Sequence, residues 1–414
     1  MENQFVSRRT LLKNGAAALG GLTVLRVAGP RHAFGQAGEE VIPWLDQPPP
    51  NNEPPANVGN LLKWEALDSR FTPTHNFFYV NHYGQPADLV EATWRVGITG
   101  LVARPRSLTL ADLKARERDE VEFTLECSGN TSFPAFIGGI GNARWGGTPL
   151  APLLEQAGVL DEGTEVVFYG ADSGKVTIRD NSGILSAGQT GMAVPDAGGG
   201  LDLTITEQFA RSMSLREALH RDNLLCYEMN GEPLPPEHGF PVRLIAPGWY
   251  GVANVKWLTR IEVVDHRWAG QFMARDYVSI REEKRDGQTL WTFATVSHDR
   301  LKSAPAKVTR RNNGRYTIMG AAWGAPIAAV QVQIDNGPWR EASLDNPARP
   351  RARGYSWRFW TLDWGTPATG QHMIRSRAFD VDGNIQPAPD DPFLASRRTF
   401  WEANGHITRR ILIR

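Results

Sequence analysis

Apolar and polar residues alternate at many points along the chain, and the alternation predicts strands far more often than helices. Val121, Phe123 and Leu125 fall on one side of an extended segment that runs into Cys127 and breaks at Ser128-Gly129-Asn130, residue types that favour turns. Trp94, Val96 and Ile98 alternate up to a turn at Gly100. Phe77-Phe78-Tyr79 predicts a short strand feeding a loop that carries Asn81 and His82, either of which also reads as a turn residue or a satisfied histidine. Val166-Val167-Phe168-Tyr169 reads as a buried strand that ends in the polar loop Gly170-Ala171-Asp172-Ser173-Gly174. Leu225-Cys226-Tyr227-Glu228-Met229 predicts another strand, Asn230-Gly231 a hairpin-type turn, and residues 238–245 and 261–264 further strands. Helical expectations are few and short: residues 61–67, 108–116 and, behind Thr148 as a cap, 150–157. Residues 134–147 are glycine-rich and read as a loop, but the Lys-Ser/Thr ending of a phosphate-binding loop is missing.

After about residue 300 the pattern changes. Val330, Val332 and Ile334 alternate cleanly into a turn at Asp335-Asn336-Gly337; Trp357, Phe359 and Thr361 share one side of a further strand; and Phe379 to Asn384 closes another. Evenly spaced strands separated by turn signals predict an immunoglobulin-like sandwich.

Composition narrows the function. Among 414 residues, Lys and Arg together number 45 and so do Asp and Glu, which argues against a general binder of nucleic acid or other polyanions. Two cysteines cannot build a disulfide framework. At the N-terminus, Ser7-Arg8-Arg9-Thr10-Leu11-Leu12-Lys13 precedes a small-residue apolar run over 15–25 that Arg26 interrupts. That combination predicts a twin-arginine signal over 1–37, removed near residues 33–37, hence periplasmic export without a stable membrane anchor. Pro48-Pro49-Pro50 and Pro54-Pro55 mark 38–60 as a linker or surface wrap.

Two groups of residues carry candidate chemistry. Cys127, at the end of a buried strand, is placed to hold something, although a lone cysteine is often a small core hydrophobe. His238, Arg243 and Lys256 offer several donors with little acid nearby, enough to clamp a phosphate; surface ion pairs with Glu237 and Glu262 are the alternative.

These same residues carry a family resemblance. Residues 227–235, 238–243 and 255–258 resemble, nearly residue for residue, the long cofactor signature of the sulfite oxidase family of molybdopterin enzymes, and Leu125-Glu126-Cys127-Ser128-Gly129-Asn130 resembles its molybdenum-ligand motif. Ala143-Arg144-Trp145 and residues 78–82 also match in position. The resemblance implies an α+β molybdopterin-binding catalytic domain over 61–290, followed by an all-β immunoglobulin-like dimerisation domain over 291–414. Cys127 would ligate molybdenum as thiolate, a soft ligand. Phe78, Tyr79, Val80, Asn81, His82, Asp172, His238, Arg243, Asn254, Val255 and Lys256 would hold the pterin and its phosphate. Tyr277 matches the family's active-site tyrosine, and the resemblance puts His82 with Cys127 and Tyr277 among the catalytic candidates; a packed tyrosine at a domain edge is the other reading for Tyr277.

The chain also departs from the pattern. Val80 stands where an arginine usually precedes the Asn-His pair, and Thr131-Ser132 where another is common. Each missing guanidinium removes a contact worth about 1.5–3 kcal/mol when desolvated. Arg144, Arg179, Arg397 and Arg398 are the candidates to replace them. The expected activity is oxidation of sulfite to sulfate, with sulfane sulfur, or reduction of an oxidised sulfur compound, as the alternative on the same scaffold and a two-domain β binding protein as the non-enzyme alternative. No Cys-x-x-Cys-His and no iron–sulfur cysteine run occurs, so no haem is expected in this chain and a cytochrome c or haem subunit is the expected electron acceptor.

Overall fold

The computed structural model describes residues 39–46, 57–131, 137–180, 201–345 and 354–414. The twin-arginine segment, the proline run, Ser132 and the side chain of Arg179 lie outside the described residues.

The first part of the chain builds two five-stranded sheets, beside the short pair of Val58–Gly59 with Tyr79–Val80. One runs, in order, Glu232–Pro233, Leu224–Met229, Ile140–Pro149 and Asp119–Glu126, with Arg243–Ile245 also paired to Leu224–Met229. The other runs Arg106–Leu108, Val96–Gly100, Leu258–Val264, Glu165–Asp180 and Leu201–Ser214. Helices are short and sit at the margins. Leu110–Lys114 starts from a capping box between Thr109 and Asp112, which satisfies donors the first turn leaves open. Ala151–Ala157 stops at Gly158, whose φ of 70° is the left-handed conformation that closes helices.

The second part is the sandwich the spacing predicts. One sheet holds Glu40–Ile42, Lys302–Arg310, Tyr316–Trp323, Arg358–Gly365 and Ser343–Leu344; the other holds Arg340–Glu341, Ile327–Ile334, Gly370–Asp380 and Ile407–Ile413. Their inner faces meet through Val308, Ile318, Val330, Val332, Trp360, Ile374 and Ile411, all buried, as a two-sheet core requires. The fold is thus an α+β domain followed by an all-β immunoglobulin-like sandwich.

Several local expectations are corrected. The glycine-rich stretch is largely a central strand, Ile140–Pro149. Its glycines answer close approach: a Cβ on Gly147 would stand 2.3 Å from the carbonyl oxygen of Leu225, and one on Gly141 would stand 2.6 Å from the Phe77 ring. The polar segment 170–174 does not end a strand; it is an irregularity inside Glu165–Asp180, where the register shifts between Tyr169 and Ser173. Thr148 caps no helix; its hydroxyl donates to the Leu113 carbonyl at 2.8 Å. Residues 238–245 are strand only at Arg243–Ile245, after a single 3-10 turn at Pro236–His238. Glu40–Ile42 joins the sandwich sheet and Trp44 is buried against it, so this part of 38–60 is structural. The hairpin of Val278–Arg285 with Gln288–Thr295 had no clear sequence signal beyond Asp286-Gly287 at its turn.

Candidate active site

Cys127 follows directly on the strand Asp119–Glu126, and its loop is held by a dense set of hydrogen bonds. The Cys127 amide donates to the Gly139 carbonyl and the Asn130 amide to the Cys127 carbonyl, each at 2.8 Å. The Asn130 side chain donates to Glu126 Oε1 at 2.9 Å and accepts from the Gly139 amide at 3.0 Å. Turn residues after an apolar strand therefore do two things: they stop the sheet, and they fix the thiol at the wall of a cavity.

That cavity opens to solvent on one side and is lined by aromatic, basic and acidic side chains together. Eleven of the thirteen residues singled out from the sequence line it: Phe78, Tyr79, Val80, His82, Cys127, Asp172, His238, Arg243, Asn254, Lys256 and Tyr277. Asn81 and Val255 stand one layer behind. Asn81 accepts a hydrogen bond from Lys256 Nζ, and the Val255 carbonyl accepts from the Leu244 amide at 2.8 Å. Phe209, Gly251 and Val252 also line the cavity and had not been singled out, because they belong to no motif; Phe209 arrives from Leu201–Ser214 by tertiary packing alone.

The basic end of the cavity is buried. Arg243 is 4% exposed; it donates to the His238 and Asn254 carbonyls at 3.0 Å each, and its Nε has no partner. Burial draws its pKa down to about 10. His238 bonds through Nε2 to the Thr74 carbonyl at 3.1 Å, and burial, aided by Arg243, lowers it to about 3, so it is neutral at pH 7 and donates that bond. Lys256 donates to the Glu237 carbonyl at 2.9 Å, and burial lowers its pKa well below the ordinary value. The surface ion-pair alternative for this trio is excluded, since these side chains spend their hydrogen bonds on backbone carbonyls and Asn81. Asp172 is raised to about 7 by burial, against the pull of Lys256, and its Oδ1 is unpartnered.

At the other end, His82 Nε2 and the Tyr277 hydroxyl lie 2.7 Å apart. Burial lowers His82 to about 3 and raises Tyr277 well above its ordinary value, so both are neutral at pH 7. Phe209 stacks on the His82 ring at 4.9 Å, Phe272 meets it edge-on at 4.7 Å, and Trp401 stacks on Tyr277 at 4.2 Å. Burial pushes the Cys127 thiol up to about 11; the Gly129 backbone and Lys302 draw it down, while Glu126 raises it.

Of the cationic substitutes named from the sequence, Arg144, Arg397 and Arg398 do not line the cavity, and the side chain of Arg179 lies outside the described residues. Arg144 lies 3.6 Å from Glu122 and over the Phe71 ring. Arg397 donates to the Trp401 carbonyl at 2.7 Å, and Arg398 pairs with Glu282.

One thiol is not a metal site by itself, and no cluster of three or more His, Cys, Asp or Glu ligands occurs among the described residues. A metal held here must bring most of its own ligands. The open donors and acceptors fit such a group: Arg243 Nε and Asp172 Oδ1 are buried and unpartnered in the cavity wall, beside Lys256 and His238, where a polar, phosphate-bearing cofactor would satisfy them. Fold and cavity together define an oxidoreductase of the molybdopterin-binding class. Consistent with this, residues 82–272 match the family described as "Oxidoreductase molybdopterin binding domain" and residues 295–400 the "Mo-co oxidoreductase dimerisation domain". Chicken sulfite oxidase is 31% identical over 365 residues, 82% of this chain and 72% of that protein; rat mitochondrial sulfite oxidase is 31% identical over 364 residues, 60% of its own length. Barley nitrate reductase [NAD(P)H] is 29% identical, with 38% of its length aligned. In fold, the chain is similar to the crystal structure of the sulfane dehydrogenase SoxCD from Paracoccus pantotrophus, with a TM-score of 0.69 and 24% identity over 95% of this chain and 96% of that one. The chain belongs to the sulfite oxidase family of molybdopterin oxidoreductases, and Mo-molybdopterin is its cofactor.

Proposed function

We propose that this chain is a periplasmic molybdenum enzyme, exported through its twin-arginine segment, that oxidises sulfite to sulfate and passes the electrons to a separate cytochrome c or haem subunit. The observation that carries the reading is the shared cavity: the Cys127 thiol, the His82–Tyr277 pair and the basic group of His238, Arg243 and Lys256 all face one space. Sulfite and water give sulfate, two electrons and two protons; a molybdenum group held by Cys127 and the basic end of the cavity would supply the oxygen-atom transfer and two-electron chemistry. The chain's own residues hold and shield. Cys127 anchors the metal as thiolate, since ligation removes the proton that burial retains. Arg243, Lys256 and His238, with Asp172 and Asn254, fix the pterin end. Tyr277 is catalytic through a hydroxyl oriented by His82, and Phe209, Phe272 and Trp401 pack against this pair. The second domain, through the matched dimerisation region, supports a homodimer.

A second substrate is favoured by one feature. Arg243 is the sole arginine among the described cavity-lining residues, and both its terminal nitrogens are bound to backbone carbonyls. With Val80 in place of a guanidinium, the site is weakly equipped for a dianion and suits sulfane sulfur.

Stopped-flow mixing of molybdenum-loaded enzyme with oxidised cytochrome c tests both readings. Fast reduction driven by sulfite supports sulfite oxidation; reduction driven by a persulfide but not by sulfite selects the second. Reduction by neither overturns both. In the sulfite case, Val80→Arg lowers the KM for sulfite, and an unchanged or raised KM contradicts the account of the pocket. Replacing Arg8 and Arg9 by lysine should leave the protein in the cytoplasmic fraction; unchanged periplasmic recovery would overturn the export assignment.

A further inference from the structure

The residue before the thiol is Glu126, and it is fully buried. Its partner, Lys302, comes from the first residue of the sandwich strand Lys302–Arg310 and is fully buried too; Nζ stands 2.8 Å from Glu126 Oε1. The same Oε1 accepts from the Asn130 side chain, so the ion pair is built into the turn that carries Cys127. The Lys302 ammonium also lies 5.6 Å from the centre of the Tyr250 ring. A buried ion pair is seldom the most stable way to fill such a space, because desolvation offsets the attraction and an apolar pair of equal volume does as well. Its distinctive property is the field it sets up in a medium of low dielectric. Neighbours beyond the ligand itself tune a bound metal in this way.

We infer that the buried Glu126–Lys302 pair sets the electrostatic environment of the Cys127 thiolate, so that Lys302, contributed by the second domain, is a positioning residue that tunes the reduction potential of the metal centre. This rests on the reading of Cys127 as the molybdenum ligand. With both partners present the charges balance. Without Lys302, an unpaired carboxylate beside the ligand disfavours adding electrons; without the Glu126 charge, an unpaired ammonium favours it. Two single substitutions must therefore move the potential in opposite directions, and the double substitution must bring it back.

The test is redox titration, followed by the molybdenum spectroscopic signal, of cofactor-loaded wild type, Glu126→Gln, Lys302→Met and the double variant, with molybdenum per chain measured on each. Glutamine keeps the acceptor for Asn130 and removes only the charge. The expected result is a higher potential in Glu126→Gln, a lower one in Lys302→Met, and a double variant near wild type. If Lys302→Met does not fold, the rise in Glu126→Gln and its reversal in the double variant carry the test. A purely structural pair would lower metal content or stability without opposite shifts; unshifted or same-sign potentials overturn the inference. Cys127→Ser separates the two claims. An altered signal there with unshifted pair variants overturns only the tuning role. An unaltered signal overturns the ligand assignment and the tuning role with it.

Discussion

At the scale of single residues, the site is organised by what burial does to protonation. Tyr277 and His82 are both neutral near pH 7, and their 2.7 Å contact fixes the hydroxyl. Removing that hydroxyl in Tyr277→Phe leaves the ring stacked on Trp401 and should lower kcat by roughly 10²-fold, the scale of a lost positioned proton-handling group, with molybdenum content unchanged. A kcat within a factor of two of wild type would contradict the assignment. His238 gives a pH prediction. Its pKa is about 3 in the folded protein against an ordinary 6.5. Above 6.5 neither state carries the extra proton. Below it the unfolded chain binds a proton that the folded site refuses, so stability falls as pH drops from about 6.5 toward 3. Asp172, raised to about 7, contributes in the opposite sense and His82 in the same sense over this window, so the test is the difference: in denaturant unfolding of cofactor-free protein, His238→Asn should lose less stability than wild type between pH 6.5 and 3. The cavity-lining residues were legible in sequence where the motif around each is local: Cys127 at a strand end, Arg243 and Lys256 in one signature. Phe209 and Trp401 were not, because nothing in a sequence marks which distant aromatic ring will lie on a histidine or a tyrosine.

Elements show where local pattern and tertiary context compete. Period-two alternation located Asp119–Glu126 and Ile327–Ile334 correctly, because Val121, Phe123 and Leu125 share one core face and Val330 and Val332 another, although Thr124 and Glu126 on the opposite face are buried too, against the second domain. It failed at Ile140–Pro149, where glycines suggest a loop but are demanded by the crowding of a central strand between two neighbours. Gly147→Ala places a Cβ against the Leu225 carbonyl. Overpacking of this kind costs about 1–3 kcal/mol and should lower the melting temperature; a neutral result would contradict this reading of the strand. The expected loop at 170–174 failed for a related reason: a bulge keeps the strand going while turning Asp172 toward the cavity, and glycine beside a polar residue looks the same in sequence whether the chain turns or bulges.

Across the whole molecule, the two domains meet at the strand that carries Cys127. Trp357, fully buried, donates its backbone amide to Thr124 Oγ1 at 2.7 Å and its indole N–H to the Arg70 carbonyl at 2.8 Å, while Lys302 reaches Glu126 on the same strand. Truncating Trp357 to alanine should destabilise by about 3–5 kcal/mol and, because Thr124 sits three residues from the thiol, reduce molybdenum retention; a stable variant with full metal would show that the junction is not coupled to the site. The sandwich itself was legible from strand spacing, but this coupling was not, because it joins residues more than 170 positions apart. The measurement that tests the central claim most directly is X-ray absorption at the molybdenum edge on wild type and Cys127→Ser, both matured with cofactor. The account predicts one fewer sulfur neighbour around molybdenum in the variant. An identical sulfur count in the two proteins would contradict it, placing the metal elsewhere than at the end of the strand that organises this chain.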